Sequence, residues 1–328
     1  MKRSAPRDST VKPAPAALSD VRFDFRAAAR KAVKDHPEIK KNTVFVDAAN
    51  DDYIAAPRVL EALEDDDDAR EELEQTVRTA KRLKTSFSDT IALDSKRSLK
   101  SVVFHQDRHP LYDATNRAID DIGTFDHETG HVLSPETDGT LSENTADAYA
   151  VIRHVQRFDG TETGIGYTSW KRTVQFILAG KTSHLTTFTV DKILMDRESA
   201  DFVSLSPAAT AKIAKEYARL HTPDEARLKK LSRAFRGARD KKLNEETFRR
   251  IAGITLRADA QSDTFYLGAR ALLGPLENGN KIVYNGKTVS LKSDDWARIK
   301  SALTKKIAAL PDSHPLKSPH LPPALRPA

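Results

Sequence analysis

The most informative stretch of this sequence is Phe125-Asp126-His127-Glu128-Thr129-Gly130-His131, an H-E-x-x-H pattern. Two histidines four residues apart lie on one face of a helix, so both imidazoles can bind one cation. A glutamate directly after the first histidine projects beside that cation, where its carboxylate can take a proton from metal-bound water. The pattern therefore predicts a helix that carries a metal site, with His127 and His131 as ligands and Glu128 as the general base.

A candidate third ligand, Glu143, lies twelve residues after His131 in the stretch Ser142-Glu143-Asn144-Thr145-Ala146-Asp147. Zinc in a hydrolytic site usually has three protein ligands and one open position. Asp147 comes one helical turn after Glu143 and lies on the same face. It is well placed to accept the second ring N–H of a ligating histidine, which fixes the orientation of that ring.

The residues between the two motifs predict a helical hairpin. Pro135 and the Asp138-Gly139 pair are residues at which a helix should stop and the chain should turn. His131 would then lie near the end of the first helix and Glu143 in the first turn of the second. Both side chains would meet at the tip of the hairpin.

These two motifs resemble those of a known family. His127-Glu128-Thr129-Gly130-His131 followed by Glu143-Asn144-Thr145-Ala146-Asp147 is similar to the gluzincin metallopeptidases, in which a second helix bears a Glu ligand. The Glu-x-x-Ala-Asp form, followed by Tyr149-Ala150, is particularly similar to the compact peptidases that cleave phage-type repressors and to HtpX-like membrane peptidases. The match covers about residues 124 to 158.

The resemblance implies a role for each residue of the two motifs. It implies that His127, His131 and Glu143 bind Zn²⁺, that Glu128 is the general base, and that Asp147 orients a ligand. It also implies a protein or peptide substrate. We therefore expect a zinc-dependent hydrolase, and within that class a metallopeptidase.

A metallopeptidase also needs a donor for the oxyanion of its tetrahedral intermediate. Candidates are Tyr149, Tyr167, His154 and His184, and their spacing singles out none of them. His154 lies on the Glu143 face, but eleven residues at about 1.5 Å each place it about 16 Å away along the helix. We therefore expect His154 to be a packed helix histidine.

A second histidine pair, His105 and His109, is also spaced by four residues. Pro110 follows it and Val102-Val103-Phe104 before it is typical of a strand, so the two rings should not share a helix face. Gluzincin-like folds place an edge strand beside the metal helix to bind the substrate backbone. The segment is either such a border of the cleft or an ordinary loop.

Composition limits the classes of protein. The 328 residues are 39% hydrophobic and 30% charged, which is typical of a soluble globular protein. No apolar run approaches the roughly 18 residues of a membrane helix, so we expect no membrane span. Cysteine is absent, so a metal must be held by His, Asp or Glu. The basic N-terminus is followed by no apolar segment of a signal peptide, and we expect a cytoplasmic protein.

The periodicity of apolar residues predicts an α+β protein that is mainly helical, with a small β-sheet beside the hairpin and a helical C-terminal region. Further helices are predicted near 66–84, 142–158, 206–220, 224–238 and 292–309, and residues 22–34 could form a basic amphipathic helix. Strands are predicted at 43–46 and 101–104, with a hairpin at 281–284 and 287–291 around a type I′ turn at Asn285-Gly286. We expect a disordered tail at 1–20, a metallopeptidase-like catalytic domain at 21–200, a helical domain at 201–310 and a Pro-rich disordered tail at 311–328.

Positive charge is concentrated in one segment. Residues 227–257 carry 11 basic and three acidic side chains, whereas residues 61–74 carry nine acidic side chains and one arginine. The basic segment could bind nucleic acid or an acidic protein, pair with 61–74 in the same molecule, or form a solvated helix surface. A non-enzymatic binding protein that uses this segment is the alternative to the hydrolase.

Overall fold

The computed structural model describes residues 21–93, 98–106, 114–134, 139–158, 165–197, 199–240, 243–277, 279–284 and 287–317. These residues form an α+β fold that is mainly helical, with one small mixed sheet and one two-stranded sheet. The helices are α1 (Phe25–Asp35), α2 (Pro57–Glu64), α3 (Asp67–Leu83), α4 (Ala114–Leu133), α5 (Gly139–Phe158), α6 (Ile165–Ala179), α7 (Thr187–Asp196), α8 (Pro207–His221), α9 (Glu225–Ala234), α10 (Glu245–Arg257), α11 (Asp263–Glu277) and α12 (Asp295–Ala308). The strands are β1 (Thr43–Asp47), β2 (Asp52–Ile54), β3 (Phe87–Ala92), β4 (Ser98–Phe104), β5 (Lys281–Tyr284) and β6 (Lys287–Ser290).

The four-stranded sheet has the order β2-β1-β4-β3. The central strands β1 and β4 are parallel, with Phe45 opposite Val102, while β2 and β3 pair antiparallel at the two edges. Parallel strands need a crossover connection, and here it runs through α2 and α3. The central pair is therefore covered on both faces, as parallel strands usually are.

Alternation along the strands divides the side chains between two apolar clusters. Val44 and Val46 of β1 pack with residues of α2 and α3, whereas Phe45 packs with Phe25 of α1 and Phe125 of α4. Successive strand residues point to opposite faces, so this division follows from the sequence itself. The second cluster fastens α4, which carries the H-E-x-x-H residues, to the sheet.

A close approach of two backbones holds α4 against α5. A Cβ atom built on Gly130 would lie 2.7 Å from the Cα atom of Ala146, closer than real Cβ contacts occur. The two helices can therefore meet at this level only because residue 130 has no side chain. Since His127 and His131 flank Gly130, the contact brings both histidines close to the first turns of α5.

The remaining helices form two further apolar clusters. One joins α5, α7 and α8, and includes Ile152, Ile193 and Phe202. The other joins α6 with α9 to α12 and the β5–β6 pair, and includes Trp170 and Trp296. Both clusters contain residues from before and after position 200. The domain boundary that the sequence predicts at position 200 stays a prediction.

Most predicted elements are confirmed within a few residues, and several elements were missed. Helices α2, α6, α7, α10 and α11 and strands β2 and β3 have no counterpart in the prediction, and the predicted helix at 224–238 ends at Ala234 and continues as a 3-10 turn. The turn at 285–286, the tail at 1–20 and residues 318–328 lie outside the described residues. None of the described helices combines the length and the apolar composition needed to cross a membrane.

Candidate metal centre

Three side chains from α4 and α5 converge on one point. Nε2 of His127 and Nε2 of His131 are 3.1 Å apart, and they lie 3.7 and 3.8 Å from the two carboxylate oxygens of Glu143. Each residue offers a ligand atom within 4.8 Å of the others, so the cluster could hold a metal ion. Tetrahedral zinc with ligands at about 2.0–2.1 Å requires ligand atoms about 3.3–3.4 Å apart. The two ring nitrogens are slightly closer than that, and the two distances to Glu143, which involve different carboxylate oxygens, are slightly longer.

The charges around the cluster also suit a divalent cation. Glu128, Glu143 and Asp147 are carboxylates, and Arg172 is the cation that interacts with all three. When the carboxylates are ionised and the histidines neutral, these four side chains have a formal charge of −2. A buried net charge of this size is costly unless it is compensated, and a divalent cation would neutralise it.

Asp147 is the residue that connects most side chains of the site. Its Oδ1 lies 2.8 Å from Nδ1 of His127, on the ring edge opposite the atom that faces the cluster. Arg172 of α6 donates to both of its oxygens, from Nε at 2.7 Å and from Nη2 at 2.9 Å, and Thr186 donates from Oγ1 at 2.6 Å. The structure therefore places Asp147 where the sequence predicted it, beside a ring nitrogen of a candidate ligand.

Glu143 has a second set of neighbours on its outer side. Its Oε2 lies 3.1 Å from Nδ1 of His184 and 3.4 Å from Nη2 of Arg172. Nδ1 of His184 also lies 2.8 Å from Nη1 of Arg172. Because arginine can only donate, Nδ1 either accepts from Arg172 or, when protonated, donates to Glu143.

These contacts shift the pKa values of the candidate ligands. Burial lowers the pKa of His131, and the charge of a protonated His127 lowers it further, to about 3, so the His131 ring is neutral near pH 7. Burial alone would raise the pKa of Glu143, but the His184 hydrogen bond and the charges of His127 and Arg172 lower it to about 2. Burial raises the pKa of Asp147, but Arg172 and His127 outweigh it and keep that pKa well below its usual range. Burial lowers the pKa of His127, but Asp147 outweighs it and the net shift is upward.

Glu128 lies between the two histidines of α4 and is buried. Burial raises its pKa, and only part of that increase is offset by the charge of His127 and a hydrogen bond from Ser88 of β3. A carboxyl group with a raised pKa is better matched to proton transfer near neutral pH than an ordinary glutamate. The environment of Glu128 therefore suits the predicted base.

Of the four predicted oxyanion donors, His184 is the one that contacts the cluster among the described side chains. Tyr149 instead shares a hydrogen bond of 2.8 Å with Nε2 of the buried His36. His154 is buried with its ring 4.6 Å from that of Phe158, which confirms the packed histidine. The side chain of Tyr167 lies outside the described residues.

The described part of the segment with the second histidine pair is a loop, one of the two alternatives that the sequence left open. The strand that ends at Phe104 is β4, which lies inside the sheet, and the edge strand on that side is β3. It is Ser88 of β3 that interacts with Glu128. His105 follows β4 in a loop and binds Ser86 through its backbone N–H, while His109 lies outside the described residues.

Sequence reasoning missed Arg172, Thr186 and Ser142, whose Oγ is 2.9 Å from Nδ1 of His131. Arg172 and Thr186 follow Asp147 by 25 and 39 residues and belong to elements without a recognisable pattern. The small residues Gly130 and Ala146 are a sequence signal for the close packing of α4 on α5, but they do not identify any of these three side chains.

Several basic side chains of the segment 227–257 form ion pairs with nearby acids. Arg227 pairs with Asp263, Lys229 with Glu225, Arg249 with Glu245, and Arg250 with Asp240 and Glu246. The sequence left open whether these basic side chains pair with residues 61–74. In the ion pairs named here, their partners are nearer acids instead. A nucleic-acid or acidic partner for this segment stays a prediction.

Comparison of the chain with protein-family models, with the curated proteins and with the solved structures gave no match. The resemblance to gluzincin metallopeptidases therefore still rests on about residues 124 to 158.

Proposed function

We propose that this chain is a zinc-dependent hydrolase, and specifically a metallopeptidase. The observation that carries the proposal is the convergence of His127, His131 and Glu143 within ligand distance of one another, with the buried Glu128 next to His127 in the sequence. Neutral imidazoles with one carboxylate form a donor set typical of catalytic zinc. His127, His131 and Glu143 would hold the ion.

When bound, zinc would lower the pKa of a water molecule to about 7 and polarise a carbonyl group. The chain supplies the other groups that hydrolysis requires. Glu128 would take the proton of the attacking water and pass it to the leaving amine, and its raised pKa favours both transfers near neutral pH. Asp147 would hold the His127 ring in the orientation that directs Nε2 to the cluster.

Arg172 and His184 are the proposed donors for the oxyanion. Nη2 of Arg172 lies 3.4 Å from both Nε2 of His127 and Oε2 of Glu143, so N–H groups border the ligand cluster directly. Arg172 is fixed by its two bonds to Asp147 and needs no reorganisation to donate. Donors held in place in a site poor in water stabilise developing negative charge most effectively.

The proposal is tested by metal content and by hydrolysis of an unbiased peptide library. Purified protein should contain about one zinc per chain, and His127→Ala should contain none. Glu128→Gln should keep its zinc, while hydrolysis falls by about 10²–10⁴-fold, the range for loss of a general base. A parent chain that binds no zinc, or a Glu128→Gln variant as active as the parent, would refute the assignment.

A further inference from the structure

A second group of charged side chains is buried where α6, α7 and α11 meet. Asp191 of α7 and Arg270 of α11 form an ion pair, with Nε 3.0 Å from Oδ2 and Nη2 3.0 Å from Oδ1. Ser169 of α6 donates to Oδ1 of Asp191 at 2.6 Å, and Tyr266 of α11 donates to Oδ2. All four side chains are buried. We name this group the Asp191 network.

The network and the candidate metal centre are connected along two helices, because residues of both lie about one turn apart on α6 and at the start of α7. On α6, Ser169 lies one turn before Arg172, which donates to both oxygens of Asp147. On α7, Asp191 lies one turn after Thr187, and the residue before Thr187 is Thr186, which also donates to Asp147. The two groups that hold Asp147 therefore lie on α6 and immediately before α7, two of the three helices that the network joins.

Further buried hydrogen bonds fix the relative position of α6 and α7. Thr173 shares a hydrogen bond of 2.8 Å with Thr187, and it also donates to the backbone oxygen of Ser169 at 2.8 Å. Trp170 donates to the backbone oxygen of Ala271 on α11 at 3.0 Å. A slip of α6 against α7 or α11 would break several of these bonds together. The positions of Arg172 and Thr186 thus depend on how α11 docks.

A buried ion pair is a poor source of stability, because the cost of removing two charges from water offsets their attraction. Apolar side chains of similar size often stabilise a core as well or better. A polar group of fixed geometry has a different effect, since it admits only one arrangement of the elements it joins. The Asp191 network is therefore better explained by the arrangement it imposes than by the stability it adds.

We propose that Asp191 and Arg270 are positioning residues for the metal centre: they dock α11 against α6 and α7 in the one register that places Arg172 and Thr186 on Asp147. This inference rests on the proposed function, and it makes α11, which lies after position 200, part of the catalytic unit. The predicted catalytic domain 21–200 would then lack a component of its own site.

The test replaces both partners together, because removing one alone leaves a buried charge without compensation. The variant is Asp191→Leu/Arg270→Met in the full chain. The matched control is Asp35→Leu/Arg153→Met, an ion pair of 3.1 Å that joins α1 to α5 and whose side chains are each 10% exposed. Zinc affinity is measured by competition with a chromophoric chelator, and the melting temperature of each metal-free protein is recorded.

We expect the Asp191 variant to bind zinc about 10–100-fold more weakly, as when a residue that orients a ligand is lost, with a melting temperature no lower than that of the control. The control should keep the affinity of the parent. A loss of zinc affinity smaller than about tenfold in the Asp191 variant, or an equal loss of affinity in the control, would overturn the inference. If the double variant does not fold, Tyr266→Phe decides: weaker zinc binding supports the inference and unchanged binding overturns it.

A measurement on the metal-free protein tests this inference separately from the proposed function. Ring ¹⁵N NMR of His127 in the metal-free protein reports the contact between Nδ1 and Asp147. If the parent binds no zinc, the proposed function fails, and the NMR signal still decides the inference. A shift of the His127 resonances in the Asp191 variant but not in the control supports it, and identical spectra overturn it.

Discussion

The α4–α5 hairpin and the basic segment 227–257 both stand out in the sequence, but their side chains are arranged differently. In the hairpin, His127, His131 and Glu143 come together from two helices, close enough to hold one metal ion. In the basic segment, Arg249 and Arg250 pair with acids four residues earlier on the same helix. Pairs of that kind are common on solvated helix surfaces and contribute little to stability. Convergence across elements, rather than density of charge, distinguishes a candidate site from a surface.

The largest expected difference between the two regions is in metal binding. His131→Ala should weaken zinc binding by more than the about 10–100-fold that loss of an orienting residue costs, because a ligand itself is removed. Lys230→Ala, in the basic segment, should leave zinc binding unchanged. Chelator competition on both variants measures the difference. Equal affinities for the two variants would show that the hairpin is not the metal site.

A smaller effect is expected from the contact between the helices of the hairpin. Gly130→Ala should lower the free energy of unfolding by about 1–3 kcal/mol, because its Cβ would overlap the backbone of Ala146. Gly123→Ala is a control on the same helix, where a Cβ meets nothing within 4 Å, and it should be stabilising by up to about 1 kcal/mol. Urea unfolding of both variants tests the sign, and a Gly130→Ala variant at least as stable as the parent would contradict the close approach.

A histidine that bonds a residue of the α4–α5 hairpin should also make the stability of the fold depend on pH. Burial lowers the pKa of His36, which bonds Tyr149 of α5, although Glu38 and Asp35 partly oppose the shift. Below about pH 6.5 the unfolded chain therefore binds more protons than the folded chain. His36 should thus destabilise the fold as the pH falls, by at most about 1.4 kcal/mol per pH unit.

Urea midpoints of the parent and of His36→Gln at pH 7, 6 and 5 measure this contribution. The midpoint of the parent should fall more steeply with decreasing pH than that of the variant. Parallel curves would mean that His36 gains its proton without cost in the folded state.

The smallest effect is expected in the basic segment. Arg249→Ala removes an ion pair of 3.6 Å whose arginine side chain is 42% exposed. It should change the free energy of unfolding by less than about 0.5 kcal/mol, with little dependence on salt. Urea unfolding at low and high salt provides the measurement. A larger loss that salt removes would show that the segment takes part in a network of charges.

The fold class and the two motifs could be predicted because their signals are local. The spacing of His127 and His131 is set by the helical repeat, and the stripe of Ala69, Leu73 and Val77 indicates α3 in the same way. Helices α6 and α11 are apolar on several sides and lack a clear period, as buried helices do. Arg172 could not be predicted, because its partner Asp147 is on another helix and no local pattern encodes their contact.

The positions of the Asp147 partners along the chain set the order in which the site can be assembled during protein synthesis. Arg172 and Thr186 follow it by 25 and 39 residues, so the ribosome delivers them after the hairpin has been made. Until then a nascent chain has both histidines and Glu143, while the carboxylate that should steer His127 still lacks its cationic partner. On the proposed function, all three candidate ligands would be synthesised before the groups that hold Asp147, and the site would be complete only with the later helices.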